Sequence, residues 1–226
     1  MAERARRSGF SHVRIQTHGM HLAQPDFCRR LVEAGIDELF VSVTAGDAAT
    51  HDAITKVPGS FDRILRGLEN LECHNVVVIT NTVVTEASYR GLPALVAQLG
   101  HLRRLRQMEF WNYFPMREED DKNLIVSYRA LIPVLLEAAA AARALGRRVE
   151  VKNVPECLLG EQADLLVNDQ PELMIDPGFW NEFARNGFEQ CVHRSNCYTR
   201  RCLGLTQAYV KKFGWEEDFV FPLGFS

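Results

Sequence analysis

Asn75-Val76-Val77-Val78-Ile79-Thr80-Asn81-Thr82-Val83 is a near-continuous run of β-branched and apolar residues that ends in small polar groups. A run of this kind suits a parallel strand covered on both faces, where no solvent side imposes alternation. Upstream, Glu38-Leu39-Phe40-Val41-Ser42-Val43 and His12-Val13-Arg14-Ile15-Gln16-Thr17 have the same character, the latter ending at Gly19. Downstream, Met108-Glu109-Phe110-Trp111-Asn112 and Arg148-Val149-Glu150-Val151-Lys152 read as a fourth and a fifth strand.

Helical runs separate these strands. Asp26 to Ala34, with Asp26 as cap and Gly35 as stop, is the first. Ser60 caps the next, whose Phe61, Ile64, Leu65 and Leu68 fall at helical spacing. Ser88 to Leu99 and Ser127 to Leu145 complete the set. Strand–helix units of about 30–35 residues predict right-handed crossovers and a parallel α/β sheet over residues 1–152. From Pro155 onward the composition changes. The stretch 153–226 holds four of the six cysteines, many Asp, Asn, Gly and Pro residues, and the aromatic residues Trp180, Phe183, Phe188, Trp215, Phe219 and Phe221. It reads as a small irregular extension.

Lys and Arg total 26 against 29 Asp and Glu, a formal charge of -3. This balance lacks the basic excess of a nucleic-acid binder. The short cluster Arg103, Arg104, Arg106 reads as a solvated helix end. No stretch approaches the roughly 20 apolar residues of a membrane span, and the basic start at Met1 has no apolar run behind it, so no membrane or secretory signal is expected. The expected compartment is the reducing cytoplasm, where cysteines serve as thiols or metal ligands rather than disulfides.

In parallel α/β sheets, ligands gather at the carboxyl ends of the strands. Those ends read Gln16-Thr17-His18-Gly19, Ser42-Val43-Thr44-Ala45-Gly46-Asp47, Asn81-Thr82-Val83 and Asn112-Tyr113-Phe114-Pro115. Taken in order with Asp47-x-x-Thr50-His51-Asp52 and Pro58-Gly59-Ser60-Phe61-Asp62, the set resembles strands three to five of the radical S-adenosylmethionine (SAM) partial barrel, over roughly residues 1 to 115. The resemblance implies an open, six-stranded, TIM-like (β/α)6 barrel, here without its first two strands. It also implies SAM across the strand ends. By position, Ser42 and Asn81 match residues that contact the ribose or methionine part of SAM, Thr17 faces the same pocket, and Trp111 and Asn112 lie on the strand that contacts adenine. His18 stands where the family often has Asn, and Thr44-Ala45 where it often has an acidic residue and Gly.

The family's Cys-x3-Cys-x2-Cys motif, which holds the [4Fe–4S] cluster that cleaves SAM, is not in this sequence. Cys28 and Cys73 stand alone, and Cys28 reads as a buried small hydrophobe. The chain as written is therefore not expected to cleave SAM unaided, because that redox chemistry belongs to the cofactor. His51-Asp52 has the look of a catalytic dyad, although a capping and turn network before the next helix explains it better.

Cys191, Cys197 and Cys202 follow a Cys-x5-Cys-x4-Cys spacing, with Cys157 upstream. Four thiolates can complete an iron–sulfur cluster or a structural zinc site; unliganded thiols are the third reading. The spacing resembles the auxiliary-cluster extensions that follow radical SAM barrels in enzymes acting on peptides or assembling cofactors, which implies an auxiliary [4Fe–4S] cluster with zinc as the alternative. His193 is a substitute ligand candidate, and Arg194, Arg200 and Arg201 flank the site.

Two functional readings follow. One is a radical SAM enzyme that modifies a peptide, protein or cofactor when the cluster segment is supplied. The other is a non-catalytic derivative or split-enzyme subunit with a structural metal in its tail. Without two flanking strands, Val13–Thr17 becomes an edge with unpaired backbone groups, so a partner chain or homodimer contact is expected there.

Overall fold

The structure, a computed structural model, describes residues 1–168, 176–199 and 201–224. Five strands, β1 (Arg14–Thr17), β2 (Glu38–Ser42), β3 (Val77–Val84), β4 (Leu105–Asn112) and β5 (Arg148–Lys152), form one parallel sheet in sequence order. The α-helices are α1 (Ala2–Arg7), α2 (Pro25–Glu33), α3 (Ala48–Thr55), α4 (Ser60–Leu71), α5 (Leu92–Leu99), α6 (Tyr128–Ala144), α7 (Pro177–Ala184) and α8 (Gln207–Phe213), with a 3-10 turn at Met20–Ala23 and another run at Glu156–Leu165. Among the described residues no helix is long and apolar enough to cross a membrane.

The chain divides into two compact units. The first comprises Met1–Thr82, Arg90–Glu109 and Glu137–Val149; the second comprises Val83–Tyr89, Phe110–Leu136 and Glu150–Ser226. In the first, Ile15 pairs with Leu39, Leu39 with Val78, and Ser42 with Asn81, which fixes the relative height of the strand ends. β3 buries Val78 through Thr82 without a break, as its unalternating sequence requires. Helix α4 buries Phe61, Ile64, Leu68 and Leu71 along one face. Burial of each large side chain stabilises by about 1.5–3 kcal/mol. Gly67 sits on that face because a Cβ there would lie 2.6 Å from the Leu22 Cβ.

Three local expectations change. Helix α2 has Gln24 at its N-cap and Pro25 in its first turn, so Asp26 lies inside the helix and bonds to Arg29 at 3.1 Å. Proline's fixed φ sets the start one residue early. Helix α4 is capped by Gly59, with Ser60 its first helical residue. Arg103 and Arg104 precede β4 and Arg106 lies within it, so the cluster is not a helix end. The Glu72 carboxylate accepts the backbone N–H groups of Arg103 and Arg104 at 2.9 and 2.7 Å.

In the second unit the core is aromatic. Tyr128 stacks on Tyr209 at 4.5 Å between centroids, and the Tyr209 hydroxyl accepts from the Tyr128 backbone N–H at 2.7 Å while donating to Glu216 at 2.5 Å. Phe114 meets Phe188 edge-on at 4.8 Å.

Candidate functional site

A cavity of about 300 Å³ opens just past β1 and β2 in the first unit. Its lining includes His18, Ser42, Thr44, His51, Thr55 and Ser60. Ser42 closes β2 directly beside Asn81 of β3, so both side chains share one face of the sheet. Asn81 is 5% exposed, and among the described residues its Nδ2 has no hydrogen-bond partner; the hydroxyls of Thr44 and Thr80 are likewise buried and without one. Thr80 pairs with Val41 and so faces the other side of the sheet, whereas the orphaned Asn81 amide and Thr44 hydroxyl are costly unless a polar ligand completes them. This donor and acceptor set fits the hydroxyl, amino and carboxylate groups of SAM.

Thr17 pairs with Val41, one residue before Ser42, so strand alternation turns it to the opposite face. Its hydroxyl accepts from the Gly19 N–H at 3.1 Å, a local turn. His18 lines the cavity where Thr17 does not. Trp111 and Asn112 belong to the second unit, where the Asn112 amide donates to the Tyr128 hydroxyl and the Asn153 carbonyl, both at 3.1 Å, leaving Oδ1 buried and unpaired. The Lys152 ammonium lies 5.6 Å from the Trp111 ring centre.

His51 and Asp52 form the network read from the sequence, on helix α3 rather than in a turn. The Asp52 carboxylate accepts from the Gly59 N–H at 2.5 Å, the Ser60 hydroxyl at 2.8 Å and the Phe61 N–H at 3.0 Å, so it caps α4 across seven to nine residues. Because the single Ser60 proton goes to Asp52, the Ser60 oxygen accepts from His51 Nδ1 at 3.1 Å. His51 is fully buried, and burial, outweighing the pull of Asp52, lowers its pKa. It is therefore neutral, with the proton on Nδ1, and its Nε2 is an acceptor with no partner among the described residues.

The Asp52 pKa lies below the usual carboxylate range, chiefly through the Phe61 N–H. A depressed folded pKa stabilises above the unfolded carboxylate value, near 4, and that contribution is lost as pH falls through the folded value. The urea midpoint gap between wild type and Asp52→Asn is thus expected to be wide at neutral pH and to close below about pH 4. A gap independent of pH would contradict the capping role.

The second unit gathers four thiols. Cys157, Cys191, Cys197 and Cys202 line one small cavity of about 20 Å³, together with Thr199, Leu205 and Phe221. A backbone group bonds to each sulfur: His193 N–H to Cys191 at 3.4 Å, Leu223 N–H to Cys197 at 3.4 Å, Gly204 N–H to Cys202 at 3.3 Å, and the Phe221 backbone to Cys157. The antiparallel bridge Gln190–Leu205 sets the Cys191 loop beside the Cys202 loop. Burial, reinforced by the neighbouring cysteines, pushes the Cys157 thiol up to about 11. Burial likewise raises Cys202, against hydrogen bonds to the Glu156 and Gly204 backbones. Ring nitrogen Nε2 of His193 meets the Val220 carbonyl at 3.2 Å, which leaves the cysteines as the donor set. Arg194 pairs with Glu189 at 2.8 Å and Arg201 with Glu156 at 2.6 Å; Arg200 lies outside the described residues. Among the described residues, no group of three or more His, Cys, Asp or Glu side chains is arranged to hold a metal ion.

Cys28 is fully buried, and its thiol donates to the Leu22 carbonyl at 3.1 Å, a structural role; Cys73 is exposed. The sequence pointed to the cysteines and to Ser42 and Asn81, but it missed the cavity wall contributed by α3. The signal was present in the i,i+4 spacing of His51 and Thr55, which places both on one helical face.

No protein-family model matches the chain. It is 32% identical over 99 residues to a probable GTP 3',8-cyclase of Methanopyrus kandleri, covering 43% of this chain and 32% of that protein. It is 34% identical over 82 residues to an AdoMet-dependent heme synthase of Nitratidesulfovibrio vulgaris, covering 35% of this chain and 22% of the relative. The matched stretches thus span a third or less of these curated relatives. Among solved structures, a domain of pyruvate-formate lyase-activating enzyme from Bacteroides vulgatus superposes with a TM-score of 0.53 at 15% identity, covering 66% of this chain and 86% of that one. These relatives and this fold support the resemblance to radical SAM superfamily proteins read from the sequence.

Proposed function

We propose that the chain is the SAM-binding and cluster-bearing part of a radical SAM enzyme that modifies a cofactor, peptide or protein. Its sheet is read as part of an open (β/α)6 barrel. One observation carries the SAM assignment: Asn81 Nδ2 is buried, without a partner among the described residues, and on the same face as Ser42, level with the carboxyl end of β2. Ser42 and Asn81 bind and orient the ligand, Thr44 adds a hydroxyl, and neutral His51 offers an acceptor without adding charge. When bound, SAM would supply radical chemistry on reduction by a cluster, and these residues would hold and orient it and exclude water. The relatives' names, a GTP cyclase and a heme synthase, favour a small molecule or cofactor over a peptide as the group acted on.

The tail is read as an iron–sulfur site on Cys157, Cys191, Cys197 and Cys202. The backbone hydrogen bond at every sulfur supports this, since such donors stabilise thiolates and tune clusters. Four thiols around one cavity match the ligand count of a [4Fe–4S] cluster, with a structural zinc as the alternative.

Titration calorimetry tests the SAM reading. Ser42→Ala and Asn81→Ala are each expected to weaken SAM binding by about tenfold, the worth of one to two hydrogen bonds. Thr17→Val is expected to leave binding unchanged. Wild-type affinity in both Ala variants would overturn the assignment. A second reading, a non-catalytic binding module, predicts no deoxyadenosine from SAM under strong reductant even with a fully loaded tail and a supplied cluster segment; its formation excludes that reading.

A further inference from the structure

Glu156 is 7% exposed, immediately precedes Cys157, and reaches across to the loop that carries Cys202. One carboxylate oxygen accepts from the Arg201 guanidinium at 2.6 Å, and the other accepts from the Thr199 hydroxyl. The Thr199 oxygen in turn accepts the backbone N–H groups of Arg201 at 3.2 Å and Cys202 at 3.4 Å. The Glu156 backbone is itself hydrogen-bonded to Cys202. A second tether runs parallel: the Asn153 N–H donates to Asn168 Oδ1 at 2.9 Å, and Asn168 Nδ2 donates to the Arg201 carbonyl at 2.8 Å. The two cysteines are 45 residues apart in sequence, so side-chain bonds have to set their spacing.

We propose that Glu156 is the positioning residue of the tail site: its side chain ties Thr199 and Arg201, and through them Cys202, to the Cys157 segment and balances the charge of Arg201, the residue before Cys202. The inference rests on the reading of these cysteines as metal ligands. It concerns two separable properties. The clamp sets the distance between two donors, and a site whose donors are held needs less reorganisation to keep its metal. The charge pair sets the field. With Glu156 ionised, Arg201 is paired; without that charge, an unpaired guanidinium remains on the residue before Cys202 and favours the reduced, more negative form of a cluster.

Two variants separate these properties. Glu156→Ala removes clamp and charge, while Glu156→Gln keeps a side chain of the same shape that still accepts a hydrogen bond. Wild type and both variants would be reconstituted anaerobically with iron and sulfide and checked for folding by far-ultraviolet circular dichroism. Metal release to a chelator and the midpoint potential of the tail site would then be measured. Glu156→Ala is expected to release metal about 10-fold to 100-fold faster, as other outer-shell losses do. Glu156→Gln is expected to hold wild-type metal content with a more positive potential, a shift that a merely structural role would not produce. Wild-type release and potential in both variants would overturn the inference while leaving the cysteine reading intact. A wild-type chain that takes up no metal would overturn both. If Glu156→Ala does not fold, the Glu156→Gln potential decides.

Discussion

Replacing Cys197 and Cys202 together by Ala is expected to strip the tail of its iron. Wild type, purified anaerobically, should carry about four iron and four sulfide per chain at the tail site, the content of one [4Fe–4S] cluster. The single Cys197→Ala variant keeps three thiolates and should hold a labile cluster at reduced occupancy. The double variant keeps only Cys157 and Cys191, too few to close a shell, and its iron should fall close to zero. Cys73→Ala, an exposed residue remote in sequence from the site, is the control and should match wild type. The physical reason lies in the local geometry. Each sulfur already has a backbone hydrogen-bond partner, so the loops are shaped around thiolates before any metal arrives. Binding must displace the thiol protons, which burial holds more tightly at Cys157 and Cys202, and the affinity should therefore fall as pH is lowered. Retention of iron by the double variant would contradict the assignment. About one zinc per chain in place of iron would move the site to the structural-metal alternative.

Gly46→Ala is expected to be the most damaging single substitution in the first unit. A Cβ at this position would lie 2.5 Å from the Gly91 carbonyl oxygen and 2.7 Å from the Leu95 backbone nitrogen. These are backbone atoms at the start of helix α5 and cannot rotate away. The loop after β2 must then move, carrying Thr44 and the Asp47 cap of α3 with it; Asp47 accepts the Thr50 N–H at 2.9 Å. A cost of about 3 kcal/mol or more is expected, at the upper end for overpacking. The neighbouring position supplies the comparison: a Cβ on Gly91 would meet nothing closer than the Gly46 nitrogen at 3.7 Å, so Gly91→Ala should change stability by less than about 0.5 kcal/mol. Urea denaturation of the two variants reads the difference directly. Equal midpoints would show that the loop is softer than its contacts imply.

Much of the sheet was legible because its chemistry is local. Val76 to Thr82 has no polar alternation, and only a strand covered on both faces accommodates that. Ser42 closes β2 as a polar residue ending an apolar run suggests, whereas β3 continues past Asn81 to Val84. The helix starts were less legible. Gly59 and Gln24 took the cap positions expected of Ser60 and Asp26 because Asp52, from the preceding helix, and Pro25 act first. The strand register was not legible from one strand alone: the Thr17–Val41 pairing turns Thr17 away from the face of Ser42 and Asn81. In the tail, the cysteines announced themselves by spacing, but Glu156 did not. Its partners Thr199 and Arg201 lie 43 and 45 residues away, and no periodicity encodes a contact of that length.

The central claim, that the carboxyl ends of β2 and β3 hold SAM, is tested most directly by a crystal structure of the chain grown with SAM. The expected result is ligand density against Ser42 and Asn81, with Asn81 Nδ2 bonded to the ligand and the Thr44 hydroxyl no longer unpaired. SAM bound elsewhere, or a complex in which Asn81 Nδ2 finds no partner, would contradict it.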